Sequence, residues 1–132
     1  MKPVKESSEL AEELKQCQKV LTAIGDETRQ EIIIRMIACA DDCSGLRVPE
    51  ITAMTNLSRP AVSYHLRILK NAGILAVRKQ GTRNYYYFES GEAIEKLIQT
   101  LQHADRIIQT LPDRSGEQCM EQNKSSMELG GK

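Results

Sequence analysis

Residues 56–75 read Asn56-Leu-Ser-Arg-Pro-Ala-Val-Ser-Tyr-His-Leu-Arg-Ile-Leu-Lys-Asn-Ala-Gly-Ile-Leu75, and this stretch decides the fold. Ser58 is a favourable N-cap for a helix, and Pro60 falls in the first helical turn, where its missing N–H is harmless. Apolar residues then recur at helical spacing until Gly73 ends the pattern. The apolar stripe consists of Val62, Leu66 and Leu69. The stretch therefore predicts one amphipathic helix that packs on a core through this stripe.

A shorter helix is predicted immediately before this one. Pro49 suits the first position of a helix that ends near Thr55. Asn56 can adopt the left-handed conformation that a tight turn requires, so a short turn joins the two helices. Two helices joined in this way form a helix-turn-helix.

Beyond Gly73 the pattern changes from helical to strand-like. Residues 74–79 and 84–89 are rich in Ile, Val and Tyr and are joined across Gln80-Gly-Thr-Arg83, which predicts a β-hairpin. We interpret the three consecutive tyrosines at positions 85–87 as sheet packing rather than as platforms that stack on bases.

Amphipathic helices are expected on both sides of this unit. A first helix is predicted over residues 8–24. A second helix is capped by Asp26, and its run of apolar residues 32–34, on more than one side, predicts that it is buried centrally. A last helix begins near Ser90 and ends at Pro112.

We therefore predict a mainly α fold with a small β-hairpin wing, a winged helix-turn-helix, in one domain over residues 8–111. Residues 1–7 are expected to be a flexible N-terminus. Residues 112–132 are polar, aperiodic and contain Gly and Ser, which predicts a disordered tail.

Charge is distributed unevenly along a chain that is neutral as a whole. Its 132 residues include 18 basic and 18 acidic ones, yet residues 51–88 carry six Arg or Lys and no Asp or Glu. A positive field on one face favours a polyanionic partner. Because the N-terminus lacks an apolar signal region and no apolar run could span a membrane, we expect a cytoplasmic protein. A Gly-rich phosphate loop and a nucleophile with a spaced base are also lacking, so we predict neither catalytic activity nor a cofactor.

If the apolar stripe of the 58–72 helix faces inward, helical geometry turns guanidinium, hydroxyl and phenol groups outward. Such a helix, which we call the reading helix, fits the major groove of DNA, where Arg binds guanine edges and hydroxyls reach bases or phosphates. The hairpin tip adds cations that can grip phosphate. The candidate DNA-binding residues are Ser58, Arg59, Pro60, Ser63, Tyr64, His65, Arg67, Lys70, Lys79, Thr82 and Arg83.

Three segments in combination resemble the ArsR/SmtB family of winged helix-turn-helix repressors: Ile24-Gly-Asp-Glu-Thr-Arg29, the stretch 56–75, and Gly81-Thr-Arg-Asn-Tyr85. The resemblance covers roughly residues 10–111. It implies a homodimer, formed by the helices around 8–24 and 90–111, that binds an imperfect palindromic operator and releases it when an inducer binds. The apolar stripes of those two helices support a dimer independently of the resemblance. Together they carry more apolar surface than is needed to cover the core of one small domain.

The expected inducer site is where this sequence departs from the family. Many members bind metal through a Cys-x-Cys pair whose two positions are Arg47 and Pro49 in this chain. A second family site, on the last helix, is represented only by His103 and Asp105, in an order that does not match. We therefore predict no metal site.

The cysteines leave the sensor open. Cys39 and Cys43 could form a thiol sensor that reacts with an oxidant or a sulfur species, or could chelate a soft metal with a third ligand from Cys17 or Cys119. They could equally have no sensory role. The operator, the regulated genes, the inducer and the choice between repressor and activator do not follow from the sequence.

One alternative of a different class is a winged-helix module that binds protein without specific DNA binding. It predicts an apolar or acidic exposed face on the reading helix, whereas Arg59, Ser63 and Arg67 make that face basic and polar. We therefore predict a sequence-specific, DNA-binding transcriptional regulator.

Overall fold

The computed structural model of the protein describes residues 4–39, 45–89 and 91–112. This part of the chain is mainly α-helical with one antiparallel two-stranded sheet, as predicted. Its elements are α1 (Val4–Gln16), α2 (Gln18–Ile24), α3 (Glu27–Ala38), α4 (Val48–Ala53), α5 (Arg59–Asn71), β1 (Leu75–Gln80), β2 (Arg83–Phe88) and α6 (Glu92–Gln109).

The helix-turn-helix consists of α4 and α5, and α5 is the reading helix. The Ser58 hydroxyl caps α5 by accepting a hydrogen bond from the backbone N–H of Ala61 at 3.3 Å. All three residues of the predicted apolar stripe are fully buried. The helix ends at Asn71, and Gly73 follows with a φ of +84°. The predicted cap, stripe and end of this helix are therefore confirmed.

The start of α4 and the turn that follows it differ from the prediction in two details. Within the described ranges no residue other than glycine has a positive φ, so Asn56 is not left-handed. The Thr55 hydroxyl instead accepts a hydrogen bond from the backbone N–H of Leu57 at 3.3 Å, which lets the chain turn without a left-handed residue. Pro49 is the second residue of α4 rather than the first, because Val48 is already helical.

The hairpin strands lie within one residue of their predicted bounds. Gln80 pairs with Arg83, so the turn consists only of Gly81 and Thr82. Leu46 and Tyr86 form a further bridge, in which each backbone N–H donates to the other carbonyl oxygen at 2.8 Å. This bridge ties the hairpin to the residues that lead into α4.

The predicted first helix is two helices, α1 and α2, separated at Cys17. This residue has a φ of −99° and a ψ of 6°, and its buried Sγ lies 3.6 Å from the Thr100 hydroxyl of α6. A break of one residue leaves the apolar period nearly unchanged, which is why the sequence pattern does not reveal it. α1 also begins at Val4, inside the segment predicted to be flexible.

α3 begins after the predicted Asp26 cap, but it is not buried centrally. Ile32 is fully buried, whereas Ile34 and Ile37 are 65% and 59% exposed. The helix packs mainly against α2 and α5, so the apolar residues on its other side remain at the surface.

α6 packs against α1 and α2 and leaves a second apolar face exposed. Leu97 and Ile107 are buried on its inner side. The exposed face, which we call the α6 outer stripe, consists of Ile94, Ile98, Leu101 and Ile108 of α6 and of Leu111 just beyond the end of the helix. The disordered tail is predicted over residues 112–132, of which residues 113–132 lie outside the described residues, as does Ser90. Among residues 4–39, 45–89 and 91–112, every helix is too short or too polar to be a membrane span.

Candidate nucleic-acid interface

The outward face of α5 carries the polar and basic side chains predicted for it. Tyr64 is 51% exposed, and the guanidinium carbon of Arg67 lies 5.9 Å from the centre of its ring. The exposed residues of this face, including the cap, are Ser58, Arg59, Pro60, Ser63, Tyr64, Arg67 and Lys70. The face thus offers guanidinium, hydroxyl and phenol donors side by side, as the edges of bases in a major groove require.

A groove of about 520 Å³ separates α5 from the hairpin. Its described lining residues include three cations and no carboxylate, so the groove has a positive potential that suits a phosphate backbone. The lining consists of Ser63, Arg67, Lys70, Val77, Lys79, Asn84 and Tyr86. The structure therefore brings the basic residues of the reading helix and of the wing to one groove.

The hairpin tip is exposed at Lys79, Thr82 and Arg83. Behind the tip, the guanidinium carbon of Arg78 lies 5.0 Å from the centre of the Tyr85 ring. Tyr86 packs against the hydrophobic core. For Tyr86 this confirms the interpretation of the tyrosines as sheet packing.

His65 differs from the other candidate residues because it is partly buried and bonded to another helix. It is half-buried, and its Nδ1 accepts a hydrogen bond from Nη1 of Arg29 at 3.1 Å. Arg29 as a residue is only 7% exposed, and its guanidinium also donates from Nε to the carbonyl of Ala23 at 2.7 Å and from Nη2 to the carbonyl of Thr22 at 3.1 Å. The sequence pattern assigns Arg29 no role. Its signal in the sequence is its place at the end of Ile24-Gly-Asp-Glu-Thr-Arg29, one of the three segments that carry the family resemblance.

Asp26 lies at the same junction. Its carboxylate accepts a hydrogen bond from the backbone N–H of Arg29 at 3.0 Å, which lowers the pKa of Asp26 below its usual range. The positive charge of Arg29 lowers this pKa further. The segment from Asp26 to Arg29 therefore caps α3 and fastens it to α2 and α5.

The candidate thiol pair is only partly described. Cys39 is exposed, and its Sγ lies 3.3 Å from the thioether sulfur of Met54 at the end of α4. Cys43 and Cys119 lie outside the described residues. Cys17 is buried at the junction of α1 and α2.

His103, which the sequence offers with Asp105 in place of a family metal site, pairs with carboxylates of α1. Its Nδ1 lies 2.8 Å from a carboxylate oxygen of Glu13 and its Nε2 lies 3.8 Å from Glu6, so it joins α6 to α1. Among the described residues no three His, Cys, Asp or Glu side chains form a group that could hold a metal ion.

The chain is similar in sequence to known regulators. The family model described as "Bacterial regulatory protein, arsR family" matches residues 26–77. ArsR2 of Halobacterium salinarum, named as a candidate repressor of an arsenical resistance operon, is 42% identical over 83 residues, which cover 63% of this chain and 66% of that protein. An uncharacterized HTH-type transcriptional regulator of Methanocaldococcus jannaschii is 34% identical over 92 residues, which cover 68% of this chain and 99% of that protein.

Solved structures share the fold. The crystal structure of an ArsR family transcriptional regulator matches with a TM-score of 0.61 at 18% identity, over 74% of this chain and 95% of that one. The homodimeric winged helix-turn-helix domain of an ArsR-family candidate from Mycobacterium bovis matches with a TM-score of 0.51 at 24% identity, over 80% and 89% of the two chains. At these identities the likeness shows the fold alone, and it confirms the predicted winged helix-turn-helix.

Proposed function

Because this chain belongs to the ArsR family of bacterial regulatory proteins and is a DNA-binding transcriptional regulator, we propose that it acts as a homodimeric repressor. In this proposal two copies occupy a palindromic operator, and an inducer releases them. The observation that carries the proposal is the positive groove between α5 and the hairpin, which lies beside the exposed polar face of α5. The proposal includes no catalytic step, and it places the protein in the cytoplasm, where its operator lies.

The proposed division of labour on DNA follows from the positions of the side chains. Arg59, Ser63, Tyr64 and Arg67 lie on the outward face of α5 and would reach base edges in the major groove. Residues of the groove and of the hairpin tip would hold phosphates on either side. These are Lys70, Lys79, Thr82 and Arg83, together with the cap residue Ser58. Pro60, which has no N–H to donate, would contact the DNA backbone only through its apolar ring.

The α6 outer stripe supports the proposed dimer. Four of its residues (94, 98, 101 and 108) recur at spacings of three, four and seven along α6, the pattern of a helix that packs against another helix. Burying such a stripe contributes about 25 cal/mol per Å² of apolar surface. A two-fold axis through this helix would present two reading helices to one face of DNA, about one helical turn or ~34 Å apart. The homodimeric M. bovis domain has the same fold.

The proposed inducer site is the end of α3. The Cys39 thiol is exposed and contacts Met54 of the helix-turn-helix, so chemistry at this sulfur would act next to α4. We propose Cys39 with Cys43 as a thiol sensor, whose signal is an oxidant, a sulfur species or a soft metal ion.

A module that binds protein instead of DNA is not favoured. It would need an apolar or acidic face on α5, and the exposed residues of α5 include three cations and no acid.

The test is a fluorescence-anisotropy titration of the reduced protein against a duplex from the region upstream of its own gene, with a scrambled duplex as control. We expect selective binding to the upstream duplex, with an affinity that falls steeply as salt rises. Equal binding to both duplexes at moderate salt would contradict the proposed repressor.

The same titration identifies the signal. Parallel samples receive peroxide, polysulfide, As(III) or Cd(II), and Cys39→Ser serves as the matched variant. We expect one additive to abolish selective binding by the wild type and to have no effect on the variant. Release that also occurs in Cys39→Ser would place the sensor elsewhere in the chain.

A further inference from the structure

Arg29 links two parts of the fold that would meet different partners. Its Nε and Nη2 donate to the carbonyls of Ala23 and Thr22 in the last turn of α2, and its Nη1 donates to His65 on α5. α2 packs against α6, the helix with the outer stripe, while α5 is the reading helix. One buried guanidinium thus connects the side of the fold expected to dimerise with the side expected to bind DNA.

The geometry of this link makes it stiff. The carbonyls at the C-terminus of a helix have no partners within the helix and carry partial negative charge, so a cation is well placed there. A guanidinium is planar, and its N–H groups diverge at fixed angles. With Nε and Nη2 anchored on α2, the direction of the Nη1–H bond is therefore determined, and so is the position of the His65 ring.

We propose that Arg29 is a positioning residue for DNA binding, which orients α5 against α2 through His65, and that His65 serves this link instead of contacting DNA. The inference rests on the proposed function, because it describes how the reading helix is held when it meets the operator. It also gives a physical role to the Arg that ends the segment Ile24-Gly-Asp-Glu-Thr-Arg29.

The link depends on the proton state of His65. An arginine only donates hydrogen bonds, so Nδ1 must keep its lone pair and the neutral ring carries its proton on Nε2. A second proton on the ring would place a donor opposite a donor and a cation opposite a cation. The Asp26 carboxylate, which also lies at this junction, attracts a protonated His65 ring. It does not replace the hydrogen-bond acceptor that Arg29 loses when Nδ1 is protonated. The Tyr64 ring also lies at this junction, with its centre 5.2 Å from that of His65.

Lowering the pH therefore distinguishes the two possible roles of His65, because the two roles predict opposite changes in operator affinity. Imidazoles titrate between about pH 5 and pH 8. If His65 positions α5 through Arg29, protonation weakens selective binding. If His65 contacts a phosphate, protonation adds a positive charge at the DNA and strengthens binding.

The experiment measures operator affinity for the wild type, His65→Asn and His103→Asn at constant ionic strength. The pH runs from about 7.5 to about 5.5, the range in which an imidazole ordinarily titrates. The Asn oxygen stands near the place of Nδ1 and does not titrate. We expect the wild-type Kd to rise about tenfold on acidification, the equivalent of one hydrogen bond to a charged group. In His65→Asn we expect that rise to be lost, whereas His103→Asn, which removes the only other histidine, should keep it.

Arg29→Lys adds a second readout. Lysine keeps the positive charge but cannot direct three N–H groups along the fixed directions of a guanidinium. We expect the ratio of operator to scrambled-duplex affinity to fall, while affinity for the scrambled duplex stays within about twofold because the phosphate contacts remain. Sedimentation velocity and thermal unfolding check that this variant is folded and dimeric. If it is not, the pH profiles of the two histidine variants still decide the question.

Two results would overturn the inference. One is an acid-induced loss of the same size in the wild type and in His65→Asn. The other is tighter wild-type binding in acid that disappears in His65→Asn, which would make His65 a phosphate contact. If the wild type shows no selective binding at neutral pH, the proposed function fails instead. Imidazole ¹⁵N spectra then test the link without DNA, and a protonated Nδ1 on His65 at neutral pH would exclude it.

Discussion

The helices α5 and α6 share one kind of inner face and differ in the outer one. Both bury an apolar stripe against the core. Outward, α5 presents arginines, a serine and a tyrosine, whereas α6 presents isoleucines and leucines. Since the inner faces are enough to explain the fold, the outer faces are available to select partners. A basic, polar face suits a polyanion, and an apolar face suits a second copy of the chain.

The two outer faces should also respond differently to salt. Binding of a polyanion releases counterions and weakens as salt rises. Burial of apolar surface depends much less on salt, and some salts strengthen it. Operator binding and dimerisation can therefore be separated in solution, and substitutions on each face can be assigned to one of the two.

The largest effect is expected from a charge in the middle of the α6 outer stripe. Leu101→Glu would place two carboxylates in the proposed dimer interface, where burial of an unpaired charge is strongly unfavourable. We expect monomers by sedimentation velocity and a loss of operator affinity of about 100-fold or more, because two linked half-sites bind far more tightly than one. Gln99→Glu adds the same charge elsewhere on α6 and should remain dimeric. A dimeric Leu101→Glu protein would refute the assigned interface.

A smaller effect is expected on the outer face of α5. Arg59→Ala or Arg67→Ala should weaken operator binding by about 1–3 kcal/mol and relax selectivity at one base position, if the guanidinium binds a guanine edge. The dimer should be unaffected. Arg35→Ala is the matched control, because Arg35 is an exposed arginine of α3 that forms an ion pair with Glu31 of the same helix. Equal losses from all three substitutions would mean that net charge, rather than position, determines affinity.

The wing substitutions should act on every DNA sequence alike. Lys79→Ala and Arg83→Ala are each expected to lower affinity for operator and scrambled duplex by similar factors and to reduce the salt slope by about one. Anisotropy titrations at several salt concentrations give both quantities. A change in selectivity with an unchanged salt slope would assign the hairpin tip to base recognition.

The smallest effect concerns the scaffold beneath both faces. The pKa of Asp26 is lowered by the backbone N–H of Arg29, so the ionised carboxylate stabilises the folded state above its unfolded pKa. That contribution is lost as the pH falls through the lower, folded-state pKa. Asp26→Asn keeps an acceptor for the cap but loses the charge. We expect it to melt slightly earlier than the wild type near pH 7, and the difference to vanish in strong acid.

The sequence predicts best those elements whose causes are local. The Ser58 cap, the stripe of α5 and the two strands follow from neighbouring residues, and the structure has them within one or two positions. The break at Cys17 was not predictable, because the apolar residues on both sides of it keep one period. The exposure of Ile34 was missed for a related reason, since an apolar run does not say which of its sides meets a neighbour.

The candidate interface likewise has one part that the sequence predicts and another that it does not. Which residues of α5 point outward follows from helical geometry alone, and the structure agrees for the exposed set. His65 and Arg29 are 36 positions apart in the sequence, and His103 and Glu13 are 90 positions apart. No local sequence pattern predicts either pair. Such pairs form only when helices pack, so a single sequence identifies the amino acids but not their partners.

The bridge between Leu46 and Tyr86 affects how quickly the wing can associate with DNA. An isolated two-stranded hairpin is only marginally stable in water, but here β2 is paired on both sides at Tyr86. A side chain at position 45 would disturb this pairing, because a Cβ on Gly45 would lie 2.7 Å from the Tyr86 carbonyl oxygen. The wing thus reaches the double helix already ordered. Little conformational entropy remains to be lost at the encounter, so diffusion and electrostatic steering, rather than a folding step, should limit the association rate.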